Sequence, residues 1–224
     1  MYSKESFLGS LREVDRDALL EAGTTRHWQQ GELVVRAGDR ADFAIVLLGG
    51  LVKVHTGRGG GAEVLLALRG PGDLLGEISA VHKATRMVSA TALKPVQGIV
   101  IGASNLRTFL ADHPRATLPL LDLALARLQA VDARLLEFAS SESLPRVASR
   151  LIELTDRFGI RRDGGELEVE LPITQEELAQ WSASSTESTA RALRTLRGLG
   201  LIETHRGRLV VLDLDGLRAH AARL

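Results

Sequence analysis

The apolar periodicity of this chain changes once, near Ser104, and that change constrains the fold more than any other feature. Before it, apolar or β-branched residues come in short runs: Val34-Val35, Phe43–Leu48, Leu51–His55, Val64–Leu68, Val88–Thr91 and Val96–Ile101. Gly31, Gly38-Asp39, Gly49-Gly50, Gly57–Gly61 and Pro71-Gly72-Asp73 punctuate them. Short runs with a turn signal roughly every 8–12 residues predict a sandwich or jelly roll over about residues 29–102. The tract Gly57-Arg58-Gly59-Gly60-Gly61 is Gly-rich like a phosphate loop, but no Gly-Lys-Ser/Thr follows, so a flexible hairpin tip fits better. After Ser104 the period is helical. Pro114 fits a helix start, and Leu121, Ala124, Leu128, Val131, Leu135 and Phe138 recur at spacings of 3, 4, 3, 4 and 3. These residues would serve either a core helix of one domain or the a/d seam of a coiled coil; the strict alternation beside a β-domain favours a dimer seam. A helix over 114–139 would be about 40 Å long at ~1.5 Å per residue.

Ser140-Ser141-Glu142-Ser143 breaks the seam and reads as a hinge, with Ser143 as the cap of a new helix and Pro145 in its first turn. Val147, Leu151, Leu154 and Phe158 then line one face, and Gly159 closes the helix. Leu167 to Leu171 alternates like a short strand. Thr174-Gln175-Glu176-Glu177 is a capping box that opens a helix to about Trp181. Ser182-Ala183-Ser184 makes a turn, and a second helix runs from Ser185 to about Leu199, with Ala190, Leu193 and Leu196 expected to face Leu178 and Trp181. Leu201–Thr204, the turn His205–Arg208 and Leu209–Leu212 complete a hairpin. Two short helices across a tight turn, followed by a hairpin, predict a winged helix-turn-helix.

The second helix carries Arg191, Arg194 and Arg197 against Glu187 alone. Its exposed start, Ser185, Thr186, Glu187, Ser188 and Arg191, is short, polar and suited to base edges. A guanidinium grips guanine through two hydrogen bonds, and a glutamate accepts from the cytosine amino group. Thr174, the helix N-terminus, Arg206 and Arg208 are placed for phosphates. A solvated amphipathic helix carries similar charges; the full order of helix, turn, helix and wing decides for DNA.

Composition sets outer limits. The 224 residues are 45% hydrophobic and 25% charged, the balance of a folded protein with one large or two ordinary domains. No apolar run reaches the ~18–20 residues of a membrane span, and residues 1–17 lack a signal-type stretch. The expected location is the cytoplasm, with no membrane partner. The absence of cysteine excludes disulfides, thiolate metal sites and cysteine-ligated clusters. Lys plus Arg and Asp plus Glu each number 28, and residues 144–224 hold 12 of either sign. DNA binding must therefore come from where the arginines stand, not from a basic domain.

With these parts in view, the chain resembles the catabolite-regulator/FNR family of cyclic-AMP receptor protein-like transcription regulators. Arg36-Ala37-Gly38-Asp39, Pro71–Ile78 and Arg86–Thr91 look like its nucleotide-binding β-roll and phosphate cassette. The long helix and Ile173–Leu212 look like its dimer helix and its reading head. The resemblance runs from about residue 7 to the end. It implies an α+β protein: a double-stranded β-helix (jelly-roll) sensor over 1–112, a dimerisation helix over 113–139, a hinge over 140–143 and the winged helix-turn-helix over 144–224. It also implies a homodimer on a near-palindromic operator, with half-sites about one helical turn apart, and RNA polymerase as a partner if the protein activates.

For the sensor, the resemblance implies a cyclic nucleotide effector held by Gly76, Glu77, Ile78, Ser79, Arg86 and Met87, with Arg127, Val131 and Asp132 from the long helix. Gly76 would let backbone amides approach a phosphate, Arg86 would pair with its charge, and Glu77 would accept from a ribose hydroxyl. Arg127 would pair with Glu77. Three residues depart from the cyclic-AMP pattern. Met87 stands where a hydroxyl usually meets the phosphate, and Val131-Asp132 replaces a Thr-Ser pair that reads adenine across the seam. Valine cannot hydrogen-bond a base, and a carboxylate repels an anion unless it meets donors, such as N1 and N2 of guanine. Three readings stay open: cyclic AMP, another nucleotide or small molecule, or a degenerate sensor on a constitutive DNA-binding protein. In the reading head, Ser185-Thr186-Glu187 replaces the frequent Ser-Arg-Glu, which relaxes discrimination at one base pair by about 1–3 kcal/mol.

Other classes fit less well. His82, in the cassette loop, and His113 could ligate haem in a gas sensor, but a lone loop histidine is far more often solvated. No H-E-x-x-H or Walker pattern occurs, and the alternation of Glu166, Glu168 and Glu170 fits one solvated strand face, so an enzyme is not expected. A nucleotide-binding module acting on a protein partner would not need the wing.

Overall fold

The computed structural model describes residues 2–4, 6–57, 63–82, 84–139, 142–162, 166–170 and 173–222, without the side chains of Ser79, Phe138 and Ala139. The chain divides into two units, residues 1–131 and 132–224.

The first unit begins with α1 (Phe7–Ser10), capped by the Ser6 side chain, and α2 (Glu13–Glu21). Strands β1 (Thr24–Trp28), β2 (Leu33–Val35), β3 (Phe43–Gly57), β4 (Glu63–Arg69) and β5 (Leu74–Leu75) follow, then α3 (Glu77–His82), β6 (Ser89–Gly102) and α4 (Ala103–Asp112). Pairing is antiparallel, in the order β1-β6-β3-β4, with β2 on β6 and β5 on β3. Phe43–Leu48 and Leu51–His55, expected as two strands, are one; so are Val88–Thr91 and Val96–Ile101 for most of their length. Gly49-Gly50 bends β3 instead of ending it. Gly50 sits at φ +87°, and a Cβ there would meet the Pro95 carbonyl of β6. Register shifts at Leu47/Gly49 and Leu51/Val52 carry both strands round the bend. β1 lies outside the expected strand region because Thr24-Thr25-Arg26-His27-Trp28 has no apolar run; its five-residue ladder with β6 makes it a strand.

Alternate residues of the long strands face two cores, as the period of 2 requires. Ile45, Leu47 and Val52 join Trp28, Val34, Leu75 and Val96 inside the roll. Val46, Ile99 and Ile101 face Phe7, Leu8, Leu19, Leu106 and Phe109 of the helices. Pro114–Ala116 forms a 3-10 turn, so the long helix α5 (Thr117–Ala139) starts three residues later than Pro114 suggests. Leu120 and Leu123 of α5 pack on the helical core. Asp15 is buried and accepts from Arg12 at 2.6 Å and His113 at 3.0 Å, which hold its carboxyl below the usual carboxylate range.

The second unit contains the end of α5, α6 (Ser143–Phe158), β7 (Ile160–Arg161), β8 (Leu167–Glu170), α7 (Gln175–Trp181), α8 (Thr186–Gly198), β9 (Ile202–His205), β10 (Arg208–Val211) and α9 (Leu214–Ala221). The wing belongs to a four-stranded antiparallel sheet, β7-β8-β10-β9. Ser143 is the first residue of α6 and not its cap; Glu142 holds the cap position, without a side-chain capping hydrogen bond. The buried face of α8 is Thr189, Ala192 and Leu196, while Ala190 and Leu193 sit half-buried at its rim. Packing against both α6 and α7 turns this face away from the expected one. Ser140 and Ser141 of the expected hinge, Leu171, and Arg58–Gly61 of the hairpin tip lie outside the described residues. No helix among the described residues is long and apolar enough to cross a membrane.

Candidate nucleic-acid interface and nucleotide cassette

The reading head is built from caps outward. The Thr174 hydroxyl accepts from the Glu177 amide at 3.1 Å and the Glu177 carboxylate accepts from the Thr174 amide at 2.8 Å, so the expected capping box starts α7. Ala183, in the turn, takes the left-handed conformation at φ +46°. The Ser185 hydroxyl then accepts from the Ser188 amide at 3.0 Å and starts α8. Thr186, Glu187, Arg191 and Arg194 stand on the exposed side of α8, with Ser188 half-buried. Glu187 and Arg191 pair at 3.0 Å one turn apart. Arg197 donates to the Thr204 hydroxyl at 2.8 Å.

On the wing, Arg206 is exposed beside Gly207, which takes φ +70°. Arg208 leans on Glu168 at 3.5 Å, and Arg162 pairs with the same carboxylate. Glu168 is thus a half-buried ion-pair partner and not part of a solvated face. A groove of about 390 Å³ runs between the start of α7, α8 and the wing, lined by Thr174, Gln175, Arg194, Arg197, His205 and Gly207 among others. Donors and acceptors of this kind read base edges and phosphates.

Sequence reasoning missed Arg146 and Arg150 of α6, which are buried among the head's helices. Two arginines one turn apart, each just before a residue of the apolar stripe (Val147, Leu151), were the available signal.

In the first unit, the structure brings Gly76, Glu77, Arg86 and Arg127 together. Gly76 sits at φ +72°, and a Cβ there would collide with the Arg86 guanidinium. Arg127 pairs with one oxygen of the buried Glu77 carboxylate and also donates to the Leu74 carbonyl at 2.6 Å. The other carboxylate oxygen, Oε2, is buried and has no hydrogen-bond partner among the described residues. Arg86 is 5% exposed, donates to the Gly76 carbonyl at 2.9 Å and to the Phe43 carbonyl, and lies 4.6 Å above the Phe43 ring. Burial lowers its pKa, and Asp42, Glu77 and Asp39 push the other way. Ile78 and Met87 point outward, Met87 with 82% exposure. Val131 and Asp132 are exposed on α5. His82 ends α3 and does not lie in a loop. His113 stacks on Phe109 and bonds Asp15. No cluster of three or more metal-ligating side chains occurs among the described residues.

Leu121, Leu128, Val131 and Leu135 of the expected seam are exposed on α5, whereas Ala124 is half-buried. Leu118, Leu125 and Leu136 widen this exposed apolar face.

A nucleotide-type cassette on a β-roll, a long leucine-faced helix and a winged helix-turn-helix define a regulator that reads DNA. Residues 25–113 match the cyclic nucleotide-binding domain family, and residues 145–220 match the Crp-like helix-turn-helix domain family. Over 192 residues the chain is 31% identical to the CRP-like cAMP-activated global transcriptional regulator of Mycobacterium tuberculosis, covering 86% of this chain and 85% of that one. It is 28% identical over 197 residues to the Cyclic AMP receptor protein of Thermus thermophilus, covering 88% of each chain. The structure of FixK2 from Bradyrhizobium japonicum shares the fold, with a TM-score of 0.78 at 18% identity over 90% of this chain and 98% of that one. The chain belongs to the CRP/FNR family of transcription regulators, with a cyclic nucleotide-binding domain followed by a helix-turn-helix DNA-binding domain. Regulators of this family bind DNA and act as dimers.

Proposed function

We propose that this regulator is a homodimer that binds a near-palindromic operator through α8 and changes its DNA affinity when a nucleotide enters the cassette. The observation that carries the reading is the division of α8. Thr189, Ala192 and Leu196 anchor it, and Thr186, Glu187, Arg191 and Arg194 are left to the outside. Arg191 makes the main base contact, Glu187 reads a cytosine amino group, and Thr174, Arg206 and Arg208 meet phosphates. Two copies pair through the leucine face of α5, which sets half-sites about one helical turn apart. The protein acts by binding and not by catalysis, and it engages RNA polymerase where it activates.

The cassette fits a ribose phosphate in two respects. The unpartnered Glu77 oxygen suits a ribose hydroxyl, and a guanidinium has five N–H groups, of which Arg86 commits two to carbonyls. Met87, Val131 and Asp132 supply none of the hydroxyls that the cyclic-AMP pattern uses, so the effector is a nucleotide whose base is not read that way.

Selection from random duplexes, followed by calorimetry with cyclic AMP, cyclic GMP and cyclic di-GMP, tests both halves. An enriched palindrome and micromolar binding of one nucleotide are expected. No enriched duplex refutes the DNA reading; no heat with any nucleotide refutes the sensor reading and leaves a constitutive regulator.

A further inference from the structure

We propose that a buried ion cluster clasps the end of α5 to the helix-turn-helix turn, and that Arg146 is the positioning residue that holds this turn. Displacement of α5 then reaches the reading helix instead of being absorbed at residues 140–143. The functional part of this inference rests on the DNA-binding reading above.

The cluster starts on α5. Glu137 is 8% exposed on a helix whose other side is a bare leucine face. Both of its carboxylate oxygens accept from Nη2 of Arg150, each at 2.8 Å. Nη1 of Arg150 donates to Glu153 at 2.9 Å, and Arg134 of α5 pairs with Glu153 at 3.7 Å. Burial lowers the Arg134 pKa, and Glu153 counters it. The Arg150 guanidinium lies 5.7 Å from the centre of the Trp181 ring, at the end of α7.

Arg146 completes the bridge. Its Nε donates to the Ser182 carbonyl at 3.0 Å, and Nη2 donates to the Ala183 carbonyl at 3.3 Å and the Ser184 hydroxyl at 3.4 Å. Its Nη1 reaches back to the Glu137 backbone carbonyl at 3.5 Å. One planar fork therefore joins the backbone of α5 to all three residues of the turn, a geometry that suits Arg and not Lys.

The turn needs such a partner. Ala183 is a non-glycine residue in the left-handed region, which costs about 1–2 kcal/mol. The Leu178, Ala179 and Gln180 carbonyls at the end of α7 already accept from the amides of Ser182, Ser184 and Ala183, so Arg146 serves the carbonyls of the turn itself, at the negative end of the helix dipole, which favours a cation. The turn also sets the angle at which α8 leaves α7, which is the geometry that meets the groove. Because the clasp spans residues 138–145, it bridges the serine segment that reads as a hinge. While the clasp is closed, Glu137 of α5 and Arg146 of α6 are held to one another, and the turn moves with them.

Native-state hydrogen exchange of the full-length protein under rising denaturant tests this, because it resolves local openings. Amides of residues 134–139 and of residues 182–185 should open with one shared free energy. Glu137→Gln should speed exchange in both segments by about tenfold or more, while amides of the wing and α9 change less than about twofold. Arg146→Lys should give the same selective pattern and lower the operator-over-scrambled affinity ratio by about tenfold. Independent opening of the two segments in the wild type overturns the proposal without any variant. Uniform acceleration from residue 143 to residue 222 also overturns it, since that is general bracing. A wild type with no preference for any duplex would remove the DNA-binding reading but leave the exchange result intact.

Discussion

Two glutamate–arginine pairs mark the two ends of this regulator, and they are opposites. Glu77–Arg127 joins residues fifty apart in sequence, and its carboxylate is 4% exposed. Glu187–Arg191 joins residues one helical turn apart, both largely in solvent. An exposed pair contributes little, because water and salt screen it. Its members can separate at small cost when another charged or polar partner is offered. A buried pair is different: removing one member strands a charge out of water. The first unit therefore holds this carboxylate in place, with its other oxygen unpartnered among the described residues. The same chemistry serves as a detachable contact in one place and as a fixed frame in the other, and burial alone makes the difference.

The contrast breaks most directly at Arg127. Arg127→Ala should cost the sensor about 3–5 kcal/mol, read from urea unfolding of Trp28 fluorescence in a Trp181→Phe background. A loss under about 1 kcal/mol would place the buried pair in the same class as the exposed one. Arg191→Ala should do the reverse, abolishing operator preference through loss of a contact contributing about 1–3 kcal/mol while thermal stability hardly moves. Unchanged binding to the selected operator would refute its role.

Two smaller effects sharpen the picture. Val131→Thr combined with Asp132→Ser should tighten cyclic AMP binding about tenfold, the gain from roughly one hydrogen bond; calorimetry showing no gain would count against this account of the base contacts. The smallest effect belongs to Ala183→Gly. Relief of left-handed strain, about 1–2 kcal/mol, is about half offset by glycine's extra chain entropy of about 0.5–1 kcal/mol. The head should gain less than about 1 kcal/mol by differential scanning calorimetry, and a destabilised variant would show that the turn holds no strain.

Much of this was readable from residue order, and the failures have a common cause. The Thr174 capping box and the turn at Gly207 depend on a few neighbouring residues, so local pattern found them; Ser185, read as the first residue of α8, is its cap. The joining of the two halves of β3 was not readable. Gly49-Gly50 signals a turn by itself, and only the approach of Pro95 on β6 makes it a bend. β1 shows the same limit, since its polar residues become a strand through a partner about seventy residues away.

Local patterning alone determined the order of parts: short strands, a long leucine-striped helix, two short helices and a wing. Periodicity and capping act over one or two turns and need no distant partner. The tertiary structure alone decided which face of α8 is buried, that Glu77 keeps an unpartnered oxygen, and that Arg146 and Arg150 leave solvent to bind Glu137 and a strained turn. Those outcomes depend on desolvation, and whether water reaches a group is set by chain segments remote in sequence.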